Sequence, residues 1–135
     1  MFDTLDISSS GLTAQRIRLD TIAQNVANMN TTRDANGKPN PYQRRFAVFA
    51  TGQVDNPDAP GVHVQSIQLD DKSKFRVKYE PDNPDAGPDG NVRLPNVDMA
   101  IEMVNALEAS RAYEANVTTM EVTKSMISAS LRLLA

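Results

Sequence analysis

The 135-residue chain has no cysteine and no tryptophan, a single histidine, three tyrosines and four phenylalanines. Without cysteine there is no disulfide framework, no thiolate metal site and no cysteine nucleophile. That absence suits the cytosol, the periplasm or the cell exterior equally. With one histidine, His63, no histidine pair can hold a metal. Its place in a predicted strand reads as a surface or partly buried residue. No apolar run is long enough to cross a bilayer as a helix. Excess positive charge is missing too: the net charge is -3 and the pI about 5.1. That argues against a dedicated binder of nucleic acid or anionic membrane, and the Arg44–Arg45 pair is too small a patch to reverse it. The first residues, MFDTLDISSSGLTAQ, carry Asp3 and Asp6 and no basic residue before Arg16. They lack the basic and apolar regions of a secretory signal, so export would need another route.

Chemistry is equally sparse. There is no Walker A loop and no GxGxxG, and no nucleophile or acid–base pair stands out, so neither an enzyme nor a cofactor is expected. The acidic stretch PDNPDAGPDGN has Asp82, Asp85 and Asp89 at spacings unlike an EF-hand loop, and no Glu closes it. Its prolines point to a solvated turn. The same holds for DANGK at Asp34. Asp70–Asp71, followed by Lys72 and Lys74, reads as a hairpin tip.

What is present is organised in three parts. Composition, 40% hydrophobic and 23% charged, is that of a folded chain of one domain. From about Thr4 to Met29, Leu5, Leu12, Leu19 and Val26 recur every seven residues, with Ser8, Gln15, Ile22 and Met29 between them, a heptad-like stripe weakened by Gly11. The run NVANMNTT, Asn25 to Thr32, ends it. Asn28 or Asn30 is expected to take the left-handed conformation of a helix C-terminus, and the threonines to favour extended chain beyond.

After Pro95, the run Asp98–Leu134 holds no Gly and no Pro. Met99, Met103, Ala106, Ser110, Tyr113, Val117, Met120, Lys124, Ile127, Leu131 and Leu134 are spaced by fours and threes. Asn96 or Asp98 can cap this helix, Glu102 favours its first turns through the helix dipole, and its length would be roughly 55 Å. Ser110 and Lys124 are polar at seam positions. Lys124 either fixes register or partner choice or snorkels to solvent.

The middle holds most of the Pro and Gly, with strands expected at Arg44–Ala50, Val62–Leu69 and Lys74–Tyr79. In the last, Phe75, Val77 and Tyr79 alternate with cations as in a half-buried strand. The expected fold is α+β: residues 1–32 and 92–135 form long helices in a coiled-coil-like pair, and 33–91 form a small β-rich region. A single helix pair has little interior, and each large apolar side chain left wet forgoes roughly 1.5–3 kcal/mol. The stripes are therefore expected to meet each other and then neighbouring chains, as in a subunit.

Two stretches resemble a known family. SSGLTAQRIRLDTIAQNVANMNTT is similar to the N-terminal motif of flagellar rod and hook axial proteins. The stretch YEPDNPDAGPDGNVRLPNVDMAIEMVNALEASRAYEANVTTMEVTKSM resembles the C-terminal part of short proximal-rod members. The resemblance implies that the two helices line a hollow axial tube that carries torque, with the β-rich part outside.

It also implies export, unfolded and without a cleaved signal, through the flagellar type III apparatus, and a place in the periplasmic rod of the basal body. The implied partners are copies of the chain, other rod subunits and the membrane-ring adaptor at the rod base, with no nucleic acid and no direct membrane insertion. Expected assembly contacts are Leu12, Leu19, Ile22, Val26, Asn28 and Thr31 near the N-terminus. Towards the C-terminus they are Met103, Leu107, Tyr113, Asn116, Val117, Met120, Lys124, Ile127, Leu131 and Leu134. The alternative is a non-flagellar coiled-coil adaptor or secreted partner-binding protein, which would form a discrete soluble oligomer.

Overall fold

The structure, a computed structural model, describes residues 2–134. Two helices, α1 (Phe2–Ala27) and α2 (Met99–Leu134), enclose in sequence four strands: β1 (Arg45–Thr51), β2 (Val62–Leu69), β3 (Arg76–Tyr79) and β4 (Asn91–Leu94). The α+β expectation holds. Among the described residues no helix is long and apolar enough to cross a membrane.

Helix α2 starts where its sequence dictates. Pro95 disfavours helix before it, and the Asp98 carboxylate accepts from the amides of Ala100 at 2.8 Å and Ile101 at 3.3 Å, an N-cap. Thirty-six residues give α2 a length of about 54 Å. The end of α1 departs from expectation. No described non-glycine residue has positive φ, so neither Asn28 nor Asn30 adopts the left-handed cap. Instead the Asn28 side-chain amide donates to the Gln24 carbonyl at 2.9 Å, and its Oδ1 accepts from the Thr31 hydroxyl at 3.2 Å. The side chain satisfies the exposed helix end without a change of backbone hand.

The helices run antiparallel. Asn25 meets Glu102, Arg18 meets Glu108 and Gly11 packs on Asn116, so contacts climb α2 as they descend α1. The residue of α2 opposite Phe2 falls near position 125, and the last turns of α2 lie past it. The other side of α1 carries the antiparallel β1–β2 hairpin, whose register shifts between Val48 and Phe49. The Ser10 hydroxyl anchors the far end of the hairpin, accepting from the Val62 amide at 3.1 Å. At the hairpin tip Gly52 sits at φ 91°, where a Cβ would lie 2.4 Å from the Pro57 carbonyl oxygen, so only glycine fits.

Strand β2 has the bounds its sequence predicts, and β1 is displaced by one residue. Strand β4, which pairs with β3 in a second antiparallel hairpin, was not expected. Four residues beside a long turn give too short a pattern to register. Two other expectations fail. Every residue of β3 is exposed, Val77 at 62% and Tyr79 at 70%, because no layer covers its face. Asp70–Asp71 is not a hairpin tip but the link between the two sheets. The Asp70 carboxylate accepts from the Lys72 and Ser73 amides and the Ser73 hydroxyl.

The buried apolar set is small: Ala14, Ile22, Val92, Val97 and Ala109. Polar residues fill much of the remaining interior.

Candidate assembly surface

The seam between α1 and α2 is lined with small and polar groups. On α2, Glu102, Ala109 and Thr123 are buried at seven-residue intervals with half-buried Asn116 among them; on α1, Ser8, Gly11, Ala14, Thr21, Asn25 and one large apolar residue, Ile22, are buried. A Cβ on Gly11 would lie 2.8 Å from the Asn116 side-chain nitrogen, so these two residues interlock at close helix approach. The heptad spacing is as expected, but the phase is not. Half of the predicted α2 stripe, Met103, Val117, Lys124 and Leu131, stands one position, or about 100°, round the helix from the buried positions, while Tyr113, Met120 and Ile127 stand four positions on, within about 40° of the seam.

That phase distributes the expected contact residues. Ile22 is buried, and Leu12, Leu19, Val26, Asn116, Val117, Met120 and Ile127 are half-buried. Asn28 and Thr31 are half-buried and bonded to each other. Met103, Leu107, Tyr113, Lys124, Leu131 and Leu134 are exposed, and the side chain of Lys124 makes no ion pair among the described residues. Two apolar clusters result. Met103, Val104 and Leu107, 53–62% exposed, share the face of α2 turned away from α1. Met126, Leu131, Leu133 and Leu134, 59–88% exposed, lie on the turns past Phe2. Each residue is unremarkable alone; grouped on one helix, they make these two clusters the candidate surface for a partner.

A buried polar junction ties the helices to the strands. Asn25, fully buried, uses all its side-chain capacity. Its amide donates to the Arg45 carbonyl at 2.7 Å and to Glu102 Oε2 at 3.2 Å. Its Oδ1 accepts from the Arg45 amide at 2.9 Å and the Tyr42 hydroxyl at 3.0 Å. Glu102, also fully buried, accepts from Arg44 Nε, and Arg44 reaches Asp70 at 3.3 Å.

Asn96, expected as a cap, instead bridges the two sheets. It accepts from the Arg44 amide at 2.7 Å and donates to the carbonyls of Asp70 at 3.0 Å and Ser73 at 3.2 Å. The Ser73 hydroxyl above all holds the Asp70 carboxyl below its ordinary range, with Arg44 adding to this, and burial pushes the Tyr42 phenol up. These bonds join residues up to 77 positions apart, so no local pattern announces them. The available signal was a Glu on the helix flank facing the seam, which demands a cation.

The Asn-Thr run continues into the second hairpin. The Thr32 hydroxyl donates to Asp85 at 2.8 Å, and Arg33 Nε pairs with the same carboxylate at 2.7 Å. Asp85, which reads as part of a solvated turn, is thus the clasp between the end of α1 and the β3–β4 loop.

Residues 5–33 match the family model described as flagella basal body rod protein, and residues 89–133 the model described as flagellar basal body rod FlgEFG protein C-terminal. Among curated proteins, the chain is 40% identical to a flagellar basal-body rod protein FlgC of Borreliella burgdorferi, covering 99% of this chain and 97% of the relative. It is 40% identical to the FlgC protein of Bacillus subtilis, covering 98% and 97%, and 38% identical to that of Yersinia enterocolitica, covering 98% and 97%.

Proposed function

The chain belongs to the FlgC family of flagellar basal-body rod proteins, and from that premise we propose that it is a proximal-rod subunit that assembles through the outer faces of its terminal helices. As a family member it is a structural rod subunit of the basal body and not an enzyme. The observation that carries the assembly reading is the placement of the large apolar side chains of α2. The buried positions of the two helices are mostly small or polar, with Ile22 the large apolar one, while Met103, Val104, Leu107, Leu131 and Leu134 are left in water.

Helices of neighbouring subunits cover those residues, pack with α1 and α2 in coiled-coil-like fashion, and close a hollow shaft that transmits torque. Each exposed side chain gains roughly 1.5–3 kcal/mol on full burial, and several together offset the cost of association. Leu12, Leu19, Val26, Asn28 and Thr31 line the same contacts from the α1 side. Tyr113, Asn116, Val117, Met120, Lys124 and Ile127 do so from α2. The partners are copies of the chain, other rod subunits and the adaptor at the rod base. Export through the type III apparatus without a cleaved signal, and a periplasmic position, complete the reading.

The test is mass spectrometry of purified hook–basal bodies from the source cell. Retention of the chain through detergent and high-salt washes is expected. Recovery only as a discrete soluble oligomer, with basal bodies complete without it, would replace this reading with the adaptor one.

A further inference from the structure

The chain is acidic overall, yet Lys72, Lys74, Arg76, Lys78 and Arg93 cluster on and beside the β3–β4 hairpin. Two of them are engaged: Lys78 pairs with Glu80, and Arg76 donates to the carbonyls of Pro95 and Met29. Lys72, Lys74 and Arg93 are exposed and make no ion pair among the described residues. All three line one shallow groove, whose apolar side is Phe75 and Val77. Arg93 is held over the groove by stacking on the Phe75 ring at 4.7 Å from its centre. The acidic residues at the groove form no ion pair with these cations. Asp70 is taken by Arg44 and Ser73, and Asp71 accepts from the Gln43 amide at 2.7 Å. Three unpaired cations around an exposed valine and a half-buried phenylalanine form a surface for carboxylates that flank an apolar side chain.

We propose that this groove receives an acidic peptide segment of a neighbouring subunit, with two or three carboxylates meeting Lys72, Lys74 and Arg93 and an apolar residue seated on Phe75 and Val77. The proposal rests on the rod reading above, which supplies a neighbour. Charge complementarity selects the occupant. A flat anionic membrane would meet a concave surface on a chain of net negative charge, whereas a narrow acidic segment reaches the three cations that line it.

Water-soluble carbodiimide joins lysine amines to carboxylates in contact and so reads this pairing in purified hook–basal bodies. Amide cross-links from Lys72 or Lys74 to an Asp or Glu of another polypeptide are expected. The K72R/K74R chain should keep assembly and lose the cross-link, because arginine retains the charge and has no primary amine. The K72E/K74E/R93E chain should stay folded by circular dichroism and fail to enter basal bodies.

Cross-links confined to pairs within a single copy of this chain, with no dimer or hetero-adduct on a denaturing gel, in basal bodies that contain it, would overturn the groove proposal and leave the rod reading standing. Absence of the chain from basal bodies would overturn both. Sedimentation of the purified chain with phosphatidylglycerol vesicles at about 0.15 M salt, abolished in the triple variant, would assign the groove to lipid and also overturn the proposal.

Discussion

Replacing Glu102 by Gln probes the junction between helices and strands with the least change of shape. Glu102 is fully buried, bonded to Arg44 Nε and to the Asn25 amide. Breaking a buried ion pair by removing one partner costs about 3–5 kcal/mol when the other charge is stranded. Arg44 is not fully stranded. Its side chain is 19% exposed and keeps Asp70 at 3.3 Å, and the Gln oxygen still accepts one bond. The expected loss is therefore below that range, about 2 kcal/mol. For a domain of this size it lowers Tm by about 7 °C. Urea unfolding at pH 7, followed by circular dichroism, gives the number directly. The double variant Arg44→Met/Glu102→Met should lose less than the sum of the two single losses, since neither member of this pair is left facing the other's gap, although Asp70 then relies on Ser73 and the amides beside it. A loss below about 0.5 kcal/mol for Glu102→Gln, or additive losses in the double variant, would refute the claim that this pair holds the junction.

Five further outcomes are expected. Asn25→Ala strands the Tyr42 hydroxyl and the Arg45 amide and should cost about 2–4 kcal/mol; Asn28→Ala, at the helix end, should cost about 1 kcal/mol yet impair motility, and swarming plates beside urea melts separate the two. Gly11→Val forces Asn116 from the seam and should cost about 2 kcal/mol, partly recovered in Gly11→Val/Asn116→Ala, as read by thermal melts. Leu131→Ser should change monomer stability by less than about 0.5 kcal/mol and abolish swarming, since Leu131 is 61% exposed. Asp70 has a folded-state pKa below its ordinary 3.8, so its contribution is present above that value and lost as pH falls through the lowered one. Ser73→Ala should raise the Asp70 pKa in a carbon-detected NMR titration and remove part of the stability that the wild type loses below about pH 4.

The elements with strong local signals were legible. The Gly- and Pro-free run after Pro95 gave α2 nearly to the residue, and the short strand-like run Val62–Leu69 gave β2. Strand β4 was hidden by its length and by the turn before it. The phase of the helix seam departs from half of the predicted α2 stripe for a physical reason. Hydrophobic periodicity locates the face with most to gain from burial, and in a subunit that face can belong to the neighbour rather than to the chain's own partner helix. The small residues Ser8, Gly11 and Ala14, spaced to let a helix approach closely, were the better guide to the internal seam. The junction of Asn25, Arg44, Asn96 and Glu102 was illegible because its members are distant in sequence and its bonds are set by the fold.

Helix α1 has α2 on one side and the β1–β2 hairpin on the other, and α2 makes no substantial contact of its own with the strands. Every path between the layers runs through α1 or through the polar junction at its end. Peeling α1 away therefore leaves α2 as a lone helix and the hairpin as a lone pair of strands, both of marginal stability in water. The two helices and the first hairpin are accordingly expected to come apart together, as one cooperative layer stack hinged on a single central helix.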